Sequence, residues 1–124
     1  MKPSSLTLTA DCRQISDILS RIGDKWTVLV ISQLSGGPLR FNELKRRIGA
    51  ISQKVLTATL RALERDGLAV RSVEATIPPR VEYALTPLGH DLLQSVRSLE
   101  TWARANMSTV HEARQRYDGR AAGA

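Results

Sequence analysis

The hydrophobic period of this chain changes twice, and the places where it changes leave few folds open. From Ile15 to Leu63 apolar residues recur three and four apart; from Arg80 to Leu85 they alternate; from Leu88 the helical spacing returns. Ile15, Ile18, Leu19 and Ile22 make one face of a first helix, which Gly23 ends, and Asp24 is placed to cap the next. The second helix carries Trp26, Val28, Leu29, Val30, Ile31 and Leu34. It is apolar nearly all round, the pattern of a helix at the centre of a core, and Ser35-Gly36-Gly37-Pro38 stops it. A short third helix turns Phe41, Leu44 and Ile48 inward. After the tight turn Gly49-Ala50-Ile51, Ser52 caps a fourth helix with Leu56, Leu60 and Leu63 inside, and Asp66-Gly67 closes it.

Val81, Tyr83 and Leu85 alternate with Arg80, Glu82 and Ala84, which reads as a half-buried strand, and Val70 to Ala75 is its antiparallel partner. The connection Thr76-Ile77-Pro78-Pro79 is too long and too rich in proline for a two-residue hairpin. Thr86 caps a fifth helix with Pro87 in its first turn; Leu88, Leu92, Val96, Leu99, Ala103, Met107 and Val110 form its stripe to about Tyr117. The order predicts a mainly α fold with a small β-hairpin, a winged helix-turn-helix with an extra helix at each end. The expected boundaries are a loose arm at 1–10, a domain at 11–117 whose long last helix starts near 87, and a frayed tail at 118–124.

Aromatic residues are only 4%, so Leu, Ile, Val and Ala must build the core. The start, Met1-Lys2-Pro3-Ser4-Ser5, enters no apolar run, and the richest apolar stretch, Trp26 to Leu34, is too short to span a bilayer. The single cysteine, Cys12, rules out an internal disulfide framework. A cytoplasmic location and no membrane association are expected.

The formal net charge is +6. Between Arg40 and Arg65 seven basic residues face two acidic ones, so most of that excess falls on the third and fourth helices. The outer face of the fourth helix carries Gln53, Lys54, Thr57 and Arg61 with no apolar interruption. A helix of this kind, preceded by a braced basic helix, is suited to the major groove of double-stranded DNA. Gln53 and Arg61 are suited to base edges; Ser52 and Lys54, with Lys45 and Arg46 of the bracing helix and Arg40 just ahead of it, suit phosphates. Arg80 on the hairpin is a further candidate contact, to the minor groove or a phosphate, the alternative being a solvated residue at a strand end. The competing reading is a protein-interaction module, for which apolar anchors on that face would be expected. An enzyme is not expected: His90 and His111 have no metal-ligand spacing around them, and no phosphate loop or activated nucleophile is visible. No cofactor is expected.

Several segments together resemble the HxlR-type regulators. They are Ile22-Gly23-Asp24-Lys25-Trp26, Arg40-Phe41-Asn42-Glu43-Leu44, Ile51-Ser52-Gln53-Lys54-Val55-Leu56-Thr57, Leu63-Glu64-Arg65-Asp66-Gly67-Leu68, Pro78-Pro79-Arg80-Val81-Glu82-Tyr83 and Leu85-Thr86-Pro87-Leu88-Gly89. The resemblance covers roughly residues 12 to 100. It implies a homodimer, formed largely by the first and last helices, on a pseudo-palindromic operator, most commonly as a repressor. Ile15, Leu19, Leu92, Val96, Leu99 and Trp102 are the expected interface residues. The long last helix, whose stripe one small core cannot cover, independently calls for a partner. The wing segment Val73-Glu74-Ala75-Thr76-Ile77 lacks the aromatic residue common in these proteins. Relatives that respond to quinones, aldehydes or oxidants carry a cysteine just before the first helix, and Cys12 matches that place; a helix N-terminus favours a thiolate. The alternative is a small inducer bound at the dimer interface near Trp26, with Cys12 idle.

Overall fold

The structure, a computed structural model, describes residues 10–123. The arm expected at 1–10 lies outside them, save Ala10. The order is α1 (Ala10–Gly23), α2 (Lys25–Leu34), α3 (Phe41–Ile48), α4 (Gln53–Arg65), β1 (Ala69–Glu74), β2 (Arg80–Leu85) and α5 (Pro87–Gly123). Two compact units divide the chain, one reaching to Leu93 and the other starting at Gln94.

In the first unit the helix ends form where the side chains dictate. Asp24 accepts a hydrogen bond from the Trp26 amide at 3.1 Å, and Ser52 Oγ accepts one from the Val55 amide at 3.1 Å. At the other end of α4, Gly67 has φ 75°, which an L side chain resists. That conformation lets the Leu68 amide donate to the Leu63 carbonyl at 2.9 Å and the Gly67 amide to Glu64 at 3.1 Å, a Schellman closure.

The core joins Val30, Ile31 and Leu34 of α2 with Leu44 of α3, Leu56, Leu60 and Leu63 of α4, and Leu39, Ile51, Leu68, Ala69, Leu85 and Leu93 around them. Phe41 and Ile48 pack on it half-buried. The expectation that α2 is buried all round needs correcting: Leu29 is exposed, because only the Thr27, Val30, Ile31 and Leu34 side is covered. The apolar face expected on α1 is present, yet Ile15, Ile18 and Leu19 stand open to solvent.

The hairpin pairs antiparallel from Ala69 opposite Leu85 to Glu74 opposite Arg80, leaving residues 75–79 as the connection. A feature absent from the sequence reading extends it. Leu39 and Tyr83 exchange backbone hydrogen bonds of 3.0 and 2.8 Å, so the segment before α3 is stitched to the wing. At the base of the hairpin, the Thr86 hydroxyl donates to the Gly67 carbonyl at 2.6 Å and accepts from the Gly89 amide at 3.1 Å. The Thr86 amide donates to the Leu68 carbonyl at 3.1 Å. The start of α5 is thereby pinned to the end of α4.

The helix expected to stop near Tyr117 continues to Gly123, and the tail expected at 118–124 is helical through that residue. Asp118, Arg120, Ala121 and Ala122 all tolerate a helix, and one glycine, Gly119, costs only about 1 kcal/mol against alanine. Arg120 in the last turn also suits the negative end of the helix dipole. Within the second unit Leu99, Trp102, Met107 and Tyr117 are exposed.

Candidate nucleic-acid interface

Two adjoining elements of the first unit gather the polar residues singled out in the sequence. The exchange between Leu39 and Tyr83 sets β2 beside α3. A groove of about 1200 Å³ opens there, with Arg40, Lys45 and Arg46 on one wall and Pro79 and Arg80 on the other. Glu43 and Glu82 also line it, so four cations face two carboxylates. Glu43 is engaged locally: its carboxylate accepts from the Arg40 amide at 3.1 Å at the start of α3. The groove remains net positive, as binding to a phosphate backbone requires.

The second concavity, about 570 Å³, runs along the outer face of α4 and is lined by Gln53, Lys54, Thr57, Ala58 and Arg61. These side chains sit opposite the buried Leu56, Leu60 and Leu63, so packing holds α4 while its outer polar face stays free. Ser52 lies in neither concavity. Its oxygen caps α4, which leaves the hydroxyl hydrogen for an external acceptor. Of the nine residues expected to meet DNA, four therefore share the groove, four share the α4 face, and Ser52 stands at the head of that helix.

Asn42 and Pro79 also line the groove and had not been singled out. Asn42 was detectable, since it falls three and four residues before Lys45 and Arg46 and so shares their face of α3. Pro79 was visible only as part of a loop.

Cys12 was expected just ahead of the first helix; it lies inside the first turn of α1 and is buried at 6% exposure. Burial withholds a thiol from solvent reagents. Two of the residues expected at the interface are covered to different degrees within the chain itself. Val96 is 1% exposed within the single chain, and Leu92 is half-buried, packed against the core cluster. The adjacent Leu92 and Leu93 made the phase of the stripe ambiguous, and Leu93 is the one turned fully inward. Ile15, Leu19, Leu99 and Trp102 are exposed. His90 and His111 are exposed, and among the described residues no set of three His, Cys, Asp or Glu side chains is placed to hold a metal. Nor, among those residues, is any helix long and apolar enough to cross a membrane.

Comparison with known proteins agrees with this geometry. The model of the HxlR-like helix-turn-helix family matches residues 21–111. The uncharacterized HTH-type transcriptional regulator YtfH of Escherichia coli is 40% identical over 94 residues, 76% of this chain and 75% of its own. The redox regulator HypR in its reduced form superposes with a TM-score of 0.74 at 35% identity, over 80% of this chain and 98% of that one. The reduced transcriptional regulator YodB of Bacillus subtilis gives 0.67 at 35% identity, covering 74% and 90%. The family match spans α2 to α4, the hairpin and much of α5, and so includes α3, α4 and β2, which line the two concavities. The chain is a transcriptional regulator of the helix-turn-helix type and belongs to the HxlR-like helix-turn-helix family.

Proposed function

We propose that the protein acts as a homodimer that binds a pseudo-palindromic operator in double-stranded DNA and represses transcription in the cytoplasm. The observation that carries this reading is the division of chemistry between two neighbouring concavities. The α4 face offers Gln53, Lys54, Thr57 and Arg61, which can address base edges from the major groove. The groove between α3 and the wing offers Arg40, Lys45, Arg46 and Arg80, which address phosphates and hold the register. Ser52 adds a phosphate contact at the N-terminus of α4, where the helix dipole favours an anion.

The exposed apolar residues support dimerisation. Ile15, Ile18 and Leu19 occupy one face of α1; on α5, Leu99 and Trp102 lie one turn apart with Met107 further along. Left in water, these faces favour self-association, and a second copy of the chain covers them by symmetry. Fluorescence anisotropy against duplexes from around the protein's own gene tests the DNA reading. Two copies of four groove cations give an expected slope of log K on log salt of about −7. Salt-insensitive binding, or equal affinity for random DNA, refutes the reading. Sedimentation of a Trp102→Glu variant tests the dimer, with a shift toward monomer expected.

A second component of the reading is a response to electrophiles or oxidants through Cys12, favoured by the likeness to HypR, which is described in both oxidised and reduced forms. Because the Cys12 thiol is buried, reaction requires the first turn of α1 to open. Release of DNA by a quinone that persists in a Cys12→Ser variant refutes this component. It would then direct attention to a non-covalent inducer.

A further inference from the structure

The wing ends in an unusual tip for an element that faces a polyanion. Residues 75–79, Ala-Thr-Ile-Pro-Pro, carry no charge, and every residue from Val70 to Arg80 is exposed. Ile77 stands at the apex with its whole surface in water, 102% exposed. The apex is closed on both sides. The Thr76 amide donates to the Glu74 carbonyl at 2.9 Å, and the Thr76 hydroxyl reaches across Ile77 to the Pro78 carbonyl at 2.8 Å. Pro78 and Pro79 fix their own φ angles, so little chain entropy remains to be lost when the tip docks. Pro79 and Arg80, two and three residues away, already line the groove with Arg40, Lys45 and Arg46. The apolar apex is thus the outward continuation of the phosphate-binding wall.

We propose that Ile77 is an apolar wedge that enters the DNA minor groove beside each operator half-site and partly unstacks one base step. The inference rests on the operator-binding reading above and adds a specificity determinant to it. An uncharged tip gains nothing from phosphates; it gains by burying its aliphatic surface against sugar walls and base edges. Branched aliphatic and proline side chains at such tips kink a duplex by separating neighbouring bases. The energy of separation depends on the step, lowest at pyrimidine–purine steps such as TA and CA, so the wing reads sequence through deformability and not through hydrogen bonds.

The test uses the full-length protein and a duplex it selects from a random-sequence library, labelled at both ends for energy transfer. Ile77→Ala is expected to fold as the wild type, since the side chain touches nothing inside the chain. It should weaken binding roughly tenfold, reduce the bend by at least about 20°, and flatten the preference at the flanking step. The salt slope should not change, because no phosphate contact is lost. Ile77→Met, which keeps an apolar wedge, should restore most of the bend. Unchanged affinity and bend in Ile77→Ala overturn the wedge, as does a loss of affinity with the bend intact, or a change confined to oligomeric state. In each of those cases selective binding by the wild type leaves the operator reading standing. A wild-type protein that selects no sequence at all refutes that reading, and the wedge with it.

Discussion

Replacing Gly89 with alanine should destabilise the fold although glycine is the poorer helix former. Gly89 lies in the first turn of α5, directly over the turn that closes α4. A methyl group built there collides with the Leu68 carbonyl oxygen and lies 3.1 Å from both the Leu68 carbonyl carbon and Leu85 Cδ2. Neither backbone obstacle is the loose end of a side chain. The same Leu68 carbonyl accepts from the Thr86 amide, and Thr86 in turn bonds the Gly67 carbonyl and the Gly89 amide. Relief of the clash therefore strains a cap and a turn together. Helix propensity favours alanine by about 1 kcal/mol. Against it stand overpacking, typically about 1–3 kcal/mol, and weakening of one or two hydrogen bonds at about 1 kcal/mol each. The net expectation is a loss of roughly 2 kcal/mol, or a melting temperature lower by about 8 °C. Thermal and urea unfolding at fixed protein concentration measure it. Gly119→Ala is the control, since a methyl there meets nothing within 4 Å; it should be neutral or stabilising by up to about 1 kcal/mol. A Gly89→Ala protein as stable as the wild type would refute the claim that α5 is pinned to the α4 turn by close approach.

Lys45→Ala should weaken DNA binding about equally for all sequences and reduce the magnitude of the salt slope by about 1 per protomer, whereas Arg61→Ala should cost about 1–3 kcal/mol on the selected duplex and relax its selectivity; anisotropy across salt concentrations separates the two. Ser52→Ala should lower stability in urea by about 1 kcal/mol, because the Val55 amide loses its acceptor. Arg21→Ala breaks the 3.0 Å ion pair between α1 and Asp66 at the end of α4, both side chains about one-third exposed, and should cost less than about 1 kcal/mol, declining with added salt.

How far the sequence led depended on whether a feature was periodic. Helix α4 was legible because the polar positions Lys54, Thr57 and Arg61 lie opposite Leu56, Leu60 and Leu63, with Ser52 and Gly67 marking its ends. The hairpin was legible from alternation along β2 and from the prolines that lengthen its tip. The Leu39–Tyr83 exchange was not, since a single bridged pair has no period and Pro38 next to Leu39 reads only as a break. The phase of α5 failed where two leucines adjoin: Leu92 and Leu93 both fit a stripe, and only packing selects Leu93. Its end failed because the segment 118–124, rich in glycine and alanine, reads as a frayed tail, although the helix runs through it to Gly123. Burial of Cys12 had no local signal at all, for Asp11 and Arg13 beside it are polar.

The hydrogen bonds that escaped the sequence also decide how the interface works as a unit. The hairpin is held at its base by Thr86 against Gly67 and Leu68, and along its length by Tyr83 against Leu39. One tie ends at the turn that closes α4 and the other at Leu39, two residues before α3. The wing therefore has no hinge of its own at its base, and beyond the Tyr83 tie its strands stay paired out to Glu74 and Arg80 before the tip at 75–79. Under the proposed function, a surface fixed in this way meets DNA with little loop ordering left to oppose binding, so the groove cations and the outer face of α4 act at one set spacing. It follows that an inducer has little to gain by displacing the wing, since that would break backbone bonds at two sites. In the proposed dimer the softer variable is the arrangement of the two copies. There the contacts are apolar side chains such as Leu19 and Trp102, which can slide without leaving a backbone donor or acceptor unpaired.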